Sequence, residues 1–318
     1  MRYSLIVPVF NRPEEVDELL GSLVGQTFKD FEVIIVEDGS TKPCADVVDR
    51  YKPSLDIKYF YKENSGPGPS RNFGAERAEG EYLMILDSDI VAPQGYLAAC
   101  QAELIREAAD AFGGPDRAHD SFSDVQKAIN YSMTSFLTTG GIRGGRRKMD
   151  KFYPRSFNMG IRAELYRELG GFSNMRFGED IDLSIRIFKS GAKCRLFPEA
   201  WVWHKRRTDF RKFFRQVHNS GIARINLYKK YPESLKLVHL MPAAFTVCCI
   251  TVVLPLLYAI LVLVHASATT RSLKVGVLAV PASFIQLTGY GSGFIRAWWR
   301  RCVQGMDEFS AFEKTFYK

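Results

Sequence analysis

Residues 81–89, EYLMILDSD, run from a stretch of apolar side chains straight into two aspartates. Consecutive apolar residues bounded by polar ones predict a strand that is buried on both faces. Such strands are typical of parallel sheets covered by helices, and these sheets bind ligands beyond the carboxyl ends of their strands. Asp87 and Asp89 are therefore expected to lie at a ligand-binding edge.

The sequence before this stretch alternates predicted strands with predicted helices. Apolar residues from Val16 to Val24 follow α-helical spacing, and Asn11 and Pro13 are expected to cap and open that helix. Strands are predicted at residues 3–9, 32–37 and 57–61, and a further helix at residues 70–78. This order predicts an α/β fold built on a parallel sheet.

The positive charge of the chain is concentrated in one segment. The 318 residues carry a net charge of +8, and residues 195–236 hold eleven Lys or Arg against three Asp or Glu. A basic segment followed by apolar sequence indicates an anionic membrane surface as partner. No nucleic-acid-binding motif accompanies it, so nucleic acid is not an expected partner. The six cysteines show neither metal-binding spacing nor a disulfide framework, which indicates a reduced, cytosol-facing protein.

Two apolar segments follow the basic one. Residues 238–264 and 275–295 contain no Asp, Glu, Lys or Arg, and each is long enough to cross a bilayer, which takes roughly 20 residues. Two membrane helices joined by a loop at 265–274 are predicted, with both ends in the cytoplasm because basic residues flank the pair. A buried core hairpin or a re-entrant pair is the alternative, since prolines interrupt both segments.

The pair of carboxylates in Asp87-Ser88-Asp89 suits a divalent metal ion. Hard cations prefer carboxylate oxygens and bridge readily to phosphates. The motif is short, and a second one occurs at residues 180–182, so its position after a buried strand is what favours the functional interpretation. A capped turn before Pro93 is the alternative.

A second acidic pair, Glu179-Asp180, follows Phe177-Gly178 at the predicted start of a helix. The helix dipole stabilises a carboxylate in that position, so an ordinary helix cap is one interpretation. The other is a general base, which would take the proton of an acceptor hydroxyl. Gly178 would leave room for the acceptor to approach.

Three further positions carry weaker signals. His204 follows a strand-like segment, and its imidazole is either a metal ligand or a structural side chain. Arg71, at the start of a helix after a Gly/Pro loop, is either a phosphate or base contact or a solvated arginine. Asn158 and Gly160 either line an acceptor cleft or form an ordinary turn.

Taken in order, these motifs resemble the inverting, GT-A-fold glycosyltransferases of family 2. The resemblance covers roughly residues 2–207. The stretches that carry it are SLIVPVFN at 4–11, EVIIVEDGS at 32–40, the segment 70–89, FNMG at 157–160, FGEDIDL at 177–183, and His204. The basic and apolar segments at the C-terminus resemble bacterial members that build surface polysaccharides.

The resemblance implies a role for each site residue. On the donor side, it implies nucleobase contacts for Pro8 and Val9, a uridine contact for Asp38, a base or phosphate contact for Arg71, and a ribose contact for Asp87, with Ser88 beside it. It implies that Asp89 and His204 hold Mn²⁺ or Mg²⁺, that Asp180, next to Glu179, is the catalytic base, and that Asn158 and Gly160 lie on the acceptor side.

The expected architecture is a Rossmann-like mixed sheet with a C-terminal two-helix transmembrane hairpin. The catalytic domain is expected at 1–207, with a donor half at about 1–112, a mobile connection at 113–155 that is partly helical around 125–137, and an acceptor half at 156–207. A basic juxtamembrane segment is expected at 208–236, two membrane helices at 237–296 and a cytoplasmic tail at 297–318.

The expected function is transfer of a sugar from a nucleoside-diphosphate donor to a lipid-linked glycan at the cytoplasmic face of a bacterial inner membrane. The family resemblance favours UDP as the nucleotide. The Gln-x-x-Arg-Trp motif of processive synthases is missing, because residues 216–219 read QVHN, so addition of a single sugar is favoured. A polyprenyl-phosphate glycosyltransferase and a non-catalytic, membrane-anchored nucleotide-binding protein are the alternatives.

Overall fold

A computed structural model describes residues 1–119, 121–140, 152–251 and 253–307. The chain divides into two compact units. The first consists of Met1–Arg117 and Phe152–His204, and the second contains residues 118–119, 121–140 and the described part of 205–307. The centre of the connection predicted to be mobile, residues 141–151, lies outside the described residues.

The first unit alternates strands and helices as the sequence predicts. Its first part contains β1 (Tyr3–Val9), α1 (Pro13–Val24), β2 (Phe31–Asp38), α2 (Ala45–Tyr51), β3 (Ile57–Lys62), α3 (Pro67–Ala75), β4 (Tyr82–Leu86), β5 (Ile90–Val91), α4 (Tyr96–Arg106), β6 (Ala111–Gly113) and β7 (Asp116–Arg117). Two helices of the second unit follow in the chain, α5 (Asp124–Thr134) and α6 (Phe136–Thr139). The first unit then continues with β8 (Asn158–Arg162), α7 (Ala163–Glu168), α8 (Glu179–Lys189), β9 (Cys194–Leu196) and β10 (Val202–His204).

The main sheet has seven strands in the order β3-β2-β1-β4-β8-β6-β9. The four strands β3, β2, β1 and β4 are parallel, which confirms the predicted parallel core. Strand β8 is antiparallel to both β4 and β6, so the sheet as a whole is mixed. A smaller sheet has the order β5-β10-β7 and places β10 antiparallel to β5.

The core of the first unit lies on both faces of the main sheet. Along β1, Leu5 and Val7 pack on the side covered by α1, α2 and α4, while Ile6 packs on the side of α3, α7 and α8. Both sets are fully buried. Burial on both faces explains why the strands read as continuous apolar runs instead of alternating ones.

Helix α3 begins at Pro67 and not at Ser70, so Arg71 lies in its second turn instead of at its start. Two further local predictions differ from the structure. Asn11 does not cap α1; its backbone has a φ of 54°, and its side-chain oxygen accepts hydrogen bonds from the amides of Thr41 and Lys42. Asn158 and Gly160 lie on strand β8, so the ordinary turn considered for them is wrong. In both cases a contact with a distant loop or strand outweighs the local signal.

The second unit is helical. It contains α5 and α6, which confirms the partly helical connection, followed by α9 (Phe210–Lys230), α10 (Leu237–Cys248), α11 (Val253–Thr270) and α12 (Leu273–Trp298), with a π-helical turn at Trp299–Val303. The first predicted membrane segment, 238–264, is shared between α10 and α11. Two helical stretches, Val253–Thr270 and Leu273–Val303, are long and apolar enough to cross a membrane by length and composition.

Candidate active site

The turn after β4 brings Asp87 and Asp89 to the carboxyl edge of the sheet. Strand β5 begins directly after Asp89 and pairs with β10, with Ile90 opposite His204. That pairing places a histidine from the far end of the unit beside the aspartates. One ligand atom from each of Asp87, Asp89 and His204 lies within 4.8 Å of the other two.

His204 is held from both sides. Its Nε2 lies 3.3 Å from Oδ1 of Asp89, and its Nδ1 lies 3.5 Å from Oδ2 of Asp116. The ring of Phe157 stacks on the imidazole at 4.8 Å between centroids. A carboxylate at the second ring nitrogen can orient a metal-ligating histidine, and Asp116 lies beside that nitrogen.

Asp89 lies between His204 and the guanidinium of Arg12. Its Oδ2 accepts a hydrogen bond of 2.5 Å from Arg12. Burial pushes the pKa of the Asp89 carboxyl up, but the contacts with His204 and Arg12 more than reverse this, so the pKa lies well below its usual range. Asp89 is therefore ionised at neutral pH, as a metal ligand must be.

The donor set fits a divalent cation. Oδ1 of Asp89 is buried and takes no well-aligned hydrogen bond within the described residues. Ligand atoms on one octahedral Mg²⁺ lie about 3 to 4 Å apart, because each metal–oxygen bond is about 2.1 Å. The observed cluster needs only a small contraction to reach that spacing. Carboxylate oxygens with one imidazole suit Mn²⁺ or Mg²⁺.

Arg71 joins the two acidic pairs. Its Nη2 lies 2.8 Å from Oδ1 of Asp87, and its Nη1 lies 3.0 Å from Oε1 of Glu179. The side chain is buried, and its guanidinium lies over the ring of Phe172. The solvated arginine considered from the sequence is therefore excluded. Its predicted contact with a base or phosphate stays a prediction.

The second acidic pair opens α8. The residue at the cap position is Gly178, with a φ of 86°, so neither Glu179 nor Asp180 is the helix cap. Burial, followed by the charge of Asp180, raises the pKa of Glu179 to about 7. Burial also pushes the pKa of Asp180 up, but the guanidinium of Arg155 outweighs it and the net pKa is lowered.

Asp180 is held by the segment that precedes β8. Nε of Arg155 lies 2.6 Å from its Oδ2, and the amide of Ile181 donates to its Oδ1. The carbonyl of Pro154 accepts a hydrogen bond from Ser184 on α8, which ties this segment to the helix. Asp180 is thus an ionised carboxylate whose two oxygens each keep a second lone pair.

Asp38 is a buried carboxylate that organises a loop. Its Oδ1 lies 2.6 Å from Nζ of Lys62 and accepts from the amide of Ser65, and its Oδ2 accepts from the amide of Gly66. Pro8 pairs with Val36 near the end of β1, at the same edge of the sheet. Donor contacts of Asp38, Pro8, Val9 and Ser88 remain predictions.

The predicted acceptor-side residues make core contacts. The side chain of Asn158 accepts from the hydroxyl of Tyr96 and donates to the carbonyl of Ala200. Gly160 lies against the ring of Phe112, where a Cβ atom would come within 2.2 Å of Cζ. These contacts give a structural reason for an asparagine at position 158 and a glycine at position 160. A role of the two residues in binding an acceptor stays a prediction.

Sequence reasoning missed Arg12, Arg155 and Asp116. Arg12 follows the carboxyl end of β1, and the rule that strand ends meet at one edge could have found it. Arg155 lies in the segment just before β8, and nothing in the neighbouring sequence indicates a functional role for it. Asp116 becomes recognisable only once β7 pairs with β10.

Solved structures share this fold. The mannosyltransferase PcManGT from Pyrobaculum calidifontis, in complex with GDP-Man and Mn²⁺, matches 94% of this chain and 88% of its own with a TM-score of 0.63 and 18% identity. Residues 1–349 of Staphylococcus aureus TarS, in complex with UDP-GlcNAc, match over 96% of this chain and 93% of their own, with a TM-score of 0.52 and 18% identity. At this identity the likeness concerns the fold alone, and it confirms the expected GT-A type.

Sequence comparison points to the same family. A segment of 93 residues is 40% identical to the poly(ribitol-phosphate) beta-N-acetylglucosaminyltransferase TarS of Staphylococcus aureus, and it covers 28% of this chain and 16% of that protein. The matched segments span about one sixth of the curated relatives' length. The family model for glycosyl transferase family 2 matches residues 4–170, which is more than half of the chain. The chain therefore belongs to glycosyl transferase family 2.

Proposed function

We propose that this chain transfers a single sugar, with inversion, from a uridine diphosphate sugar to a hydroxyl of a lipid-linked glycan. The observation that carries the proposal is the bridge formed by Arg71. It holds Asp87, beside the candidate metal ligands, and Glu179, beside the candidate base, on one guanidinium. A group for the leaving diphosphate and a group for the attacking hydroxyl are thus linked by one side chain.

Asp89 and His204, with Asp87 beside them, would hold the metal ion. When bound, Mn²⁺ or Mg²⁺ supplies positive charge that neutralises the departing diphosphate. Arg12 already neutralises Asp89 from the other side, which keeps that carboxylate ionised. The described residues therefore offer a preformed anionic site whose charge is partly balanced.

Asp180 is the proposed base. As the bond between the anomeric carbon and the diphosphate oxygen breaks, the acceptor oxygen forms the new bond from the opposite face, and its proton passes to Asp180. The low pKa of Asp180 ensures that it is unprotonated at neutral pH, although it makes the residue a weaker base. Arg155 keeps the carboxylate oriented.

The proposed donor and acceptor are based on what similar proteins bind or are named for. TarS and PcManGT were solved with nucleotide sugars bound, which supports a nucleotide-sugar donor here. TarS is named for a poly(ribitol-phosphate) acceptor, which supports an acceptor in surface polysaccharide assembly. The apolar helices of the second unit support attachment at the cytoplasmic face of a bacterial inner membrane, where lipid-linked glycans are accessible.

A panel of nucleotide sugars tests the proposal. The full chain is incubated with each sugar and Mn²⁺ or Mg²⁺, and release of nucleoside diphosphate is measured with and without membrane lipid extract. The expected result is release from one uridine donor that requires both the metal and the extract. Donor binding without any release, under every combination, would support the non-catalytic alternative instead.

A further inference from the structure

The two ends of α12 are each tied to another segment of the second unit. Near its start, Nζ of Lys274 lies 2.7 Å from Oδ2 of Asp124, at the beginning of α5. Just beyond its end, Nη1 of Arg301 lies 2.6 Å from Oδ1 of Asn226, on α9. Any membrane arrangement of α12 must keep both contacts.

The contact with Asp124 fixes the side of the membrane on which α12 begins. Asp124 follows β7 after only six residues, 118–123. The seven Cα-to-Cα steps from Arg117 to Asp124 span at most about 25 Å when fully extended, whereas the hydrocarbon core of a bilayer is about 30 Å thick. Asp124 therefore stays on the same side of the membrane as β7, and Lys274 stays with it.

The side chain of Tyr131 extends this constraint to α11. Its hydroxyl lies 2.7 Å from Nδ1 of His265, near the end of α11. The hydroxyl of Tyr258, one third of the way along α11, lies 3.4 Å from the carbonyl oxygen of Leu137 on α6. Helices α5 and α6 therefore both contact α11, at Tyr258 and at His265.

Helix α9 packs directly against α12. A Cβ on Gly221 would lie 2.1 Å from the carbonyl oxygen of Tyr290, and one on Gly293 would lie 2.0 Å from that of His218. With the contact between Asn226 and Arg301, these pairs show that the two helices run parallel and in direct contact. Six basic residues lie on α9: Arg211, Lys212, Arg215, Arg224, Lys229 and Lys230. A helix with that many charges does not enter the hydrocarbon core, so the part of α12 that packs against it, from Gly289 onward, does not enter the core either.

The second unit nevertheless exposes an extensive apolar surface. We call it the α10–α11 face and define it by twelve exposed, large apolar residues among those described: Leu237, Leu240, Met241, Val247, Ile250, Val253, Leu254, Leu256, Leu257, Ile260, Leu261 and Val264. Soluble monomers rarely expose so many large apolar side chains together. Trp298 and Trp299 are also exposed at the end of α12.

The charge around this surface identifies its partner. Residues 205–307 contain fifteen Lys or Arg against three Asp or Glu, a net charge of +12. Lys236 directly precedes the α10–α11 face, and Arg296 and Arg300 flank the exposed tryptophans. Apolar residues bordered by basic ones bind anionic membrane surfaces, and tryptophan favours the headgroup region.

We propose that the second unit lies in one leaflet of an anionic membrane by its α10–α11 face, and that α11 and α12 do not cross the bilayer. Both ends of α12 and the loop before it then remain on the side of the first unit. This arrangement is independent of the sugar-transfer chemistry proposed above.

Cysteine labelling tests the topology. In a full chain with Cys248, Cys249 and Cys302 replaced by serine, Arg271→Cys or Thr269→Cys places a thiol in or beside the loop before α12, and Lys229→Cys places one on α9. Intact bacterial spheroplasts are treated with a membrane-impermeant maleimide before and after permeabilisation. We expect all three thiols to react only after permeabilisation. Reaction at residue 269 or 271 in intact spheroplasts would overturn the proposal.

Vesicle binding tests the surface. The purified full chain is mixed with vesicles of phosphatidylcholine, with or without phosphatidylglycerol, and sedimented. We expect binding that requires phosphatidylglycerol, is lost in Leu257→Glu and Ile260→Glu, and survives in Ile105→Glu, a more exposed apolar position on α4. Arg296→Ser and Lys229→Ser should each weaken partitioning by roughly fivefold. Absence of binding, together with a dimer that Leu257→Glu dissociates, would show that a second copy covers the face and would overturn the proposal.

Discussion

Nη1 of Arg71 lies 3.0 Å from Oε1 of Glu179, although the two residues are 108 positions apart in the chain. The other terminal nitrogen of the same guanidinium contacts Asp87. One buried cation therefore balances two carboxylates that belong to different halves of the candidate site. The stability of the first unit and the arrangement of the candidate site therefore both involve this side chain.

Replacing Arg71 should destabilise the first unit strongly. In Arg71→Met, Asp87 and Glu179 lose their shared cation, and removing one partner of a buried ion pair costs about 3 to 5 kcal/mol. Urea unfolding of the full chain measures this loss. Arg167→Met, at an exposed position on α7, is the control and should stay within about 0.5 kcal/mol of the native chain. If Arg71→Met were equally stable, the bridge would have no energetic role.

The raised pKa of Glu179 predicts a dependence of stability on pH. The unfolded chain has an ordinary glutamate pKa of about 4.3, whereas Glu179 in the folded chain has a pKa of about 7. Between these values the folded state binds more protons, so the free energy of unfolding falls as the pH rises, by up to about 4 kcal/mol. The lowered pKa of Asp180 acts at lower pH, where its contribution is lost as the pH falls.

Glu179→Gln removes this group. The difference in unfolding free energy between the native chain and Glu179→Gln should therefore decrease from about pH 5 to about pH 8. Urea unfolding of both chains at the two pH values measures it. A constant difference would mean that Glu179 titrates in the folded chain as it does in the unfolded one.

Asp180→Asn should abolish transfer while leaving donor binding near normal. The amide keeps the shape of the side chain but cannot take a proton, and loss of a general base costs about a hundredfold to ten-thousandfold in rate. Diphosphate release and calorimetric donor binding give the two measurements. Glu164→Gln, an exposed first-turn carboxylate on α7, is the control. Full activity in Asp180→Asn would favour a phosphate acceptor, which needs no strong base.

His204→Ala and Asp89→Asn should weaken metal binding in the absence of any donor. Removing a ligand, or the group that orients one, lowers affinity by about tenfold or more. Electron paramagnetic resonance of free Mn²⁺ during titration measures the affinity without reference to activity. His119→Ala removes an exposed histidine of the second unit and should change nothing. Unaltered Mn²⁺ affinity in both site variants would place the metal elsewhere.

Gly160→Ala should destabilise the fold by overpacking. The added Cβ would lie 2.2 Å from the ring of Phe112, and overpacking a core typically costs about 1 to 3 kcal/mol. Adding Phe112→Leu should recover part of the loss. Gly95→Ala, where a Cβ would meet nothing within 4 Å, is the control. Loss of activity with unchanged urea unfolding would instead indicate the predicted role towards the acceptor.

Several features could be predicted because they depend on neighbouring residues. The apolar runs of β1, β2 and β4 specify buried parallel strands, and Asp87 and Asp89 follow the last of these directly. The position of Glu179 and Asp180 in the first turn of α8 also follows from local sequence. Asn11 shows the limit, since its side chain bonds a distant loop instead of the adjacent helix.

The sequence by itself determined which residues end the parallel strands, because hydrophobic periodicity and strand boundaries are local properties of the chain. Only the tertiary structure decided which distant side chains meet them. His204 reaches Asp89 through the pairing of β10 with β5, and Arg155 reaches Asp180 through the anchoring of its segment to α8. Such contacts depend on packing between elements far apart in sequence, and packing energies are not encoded in any local pattern.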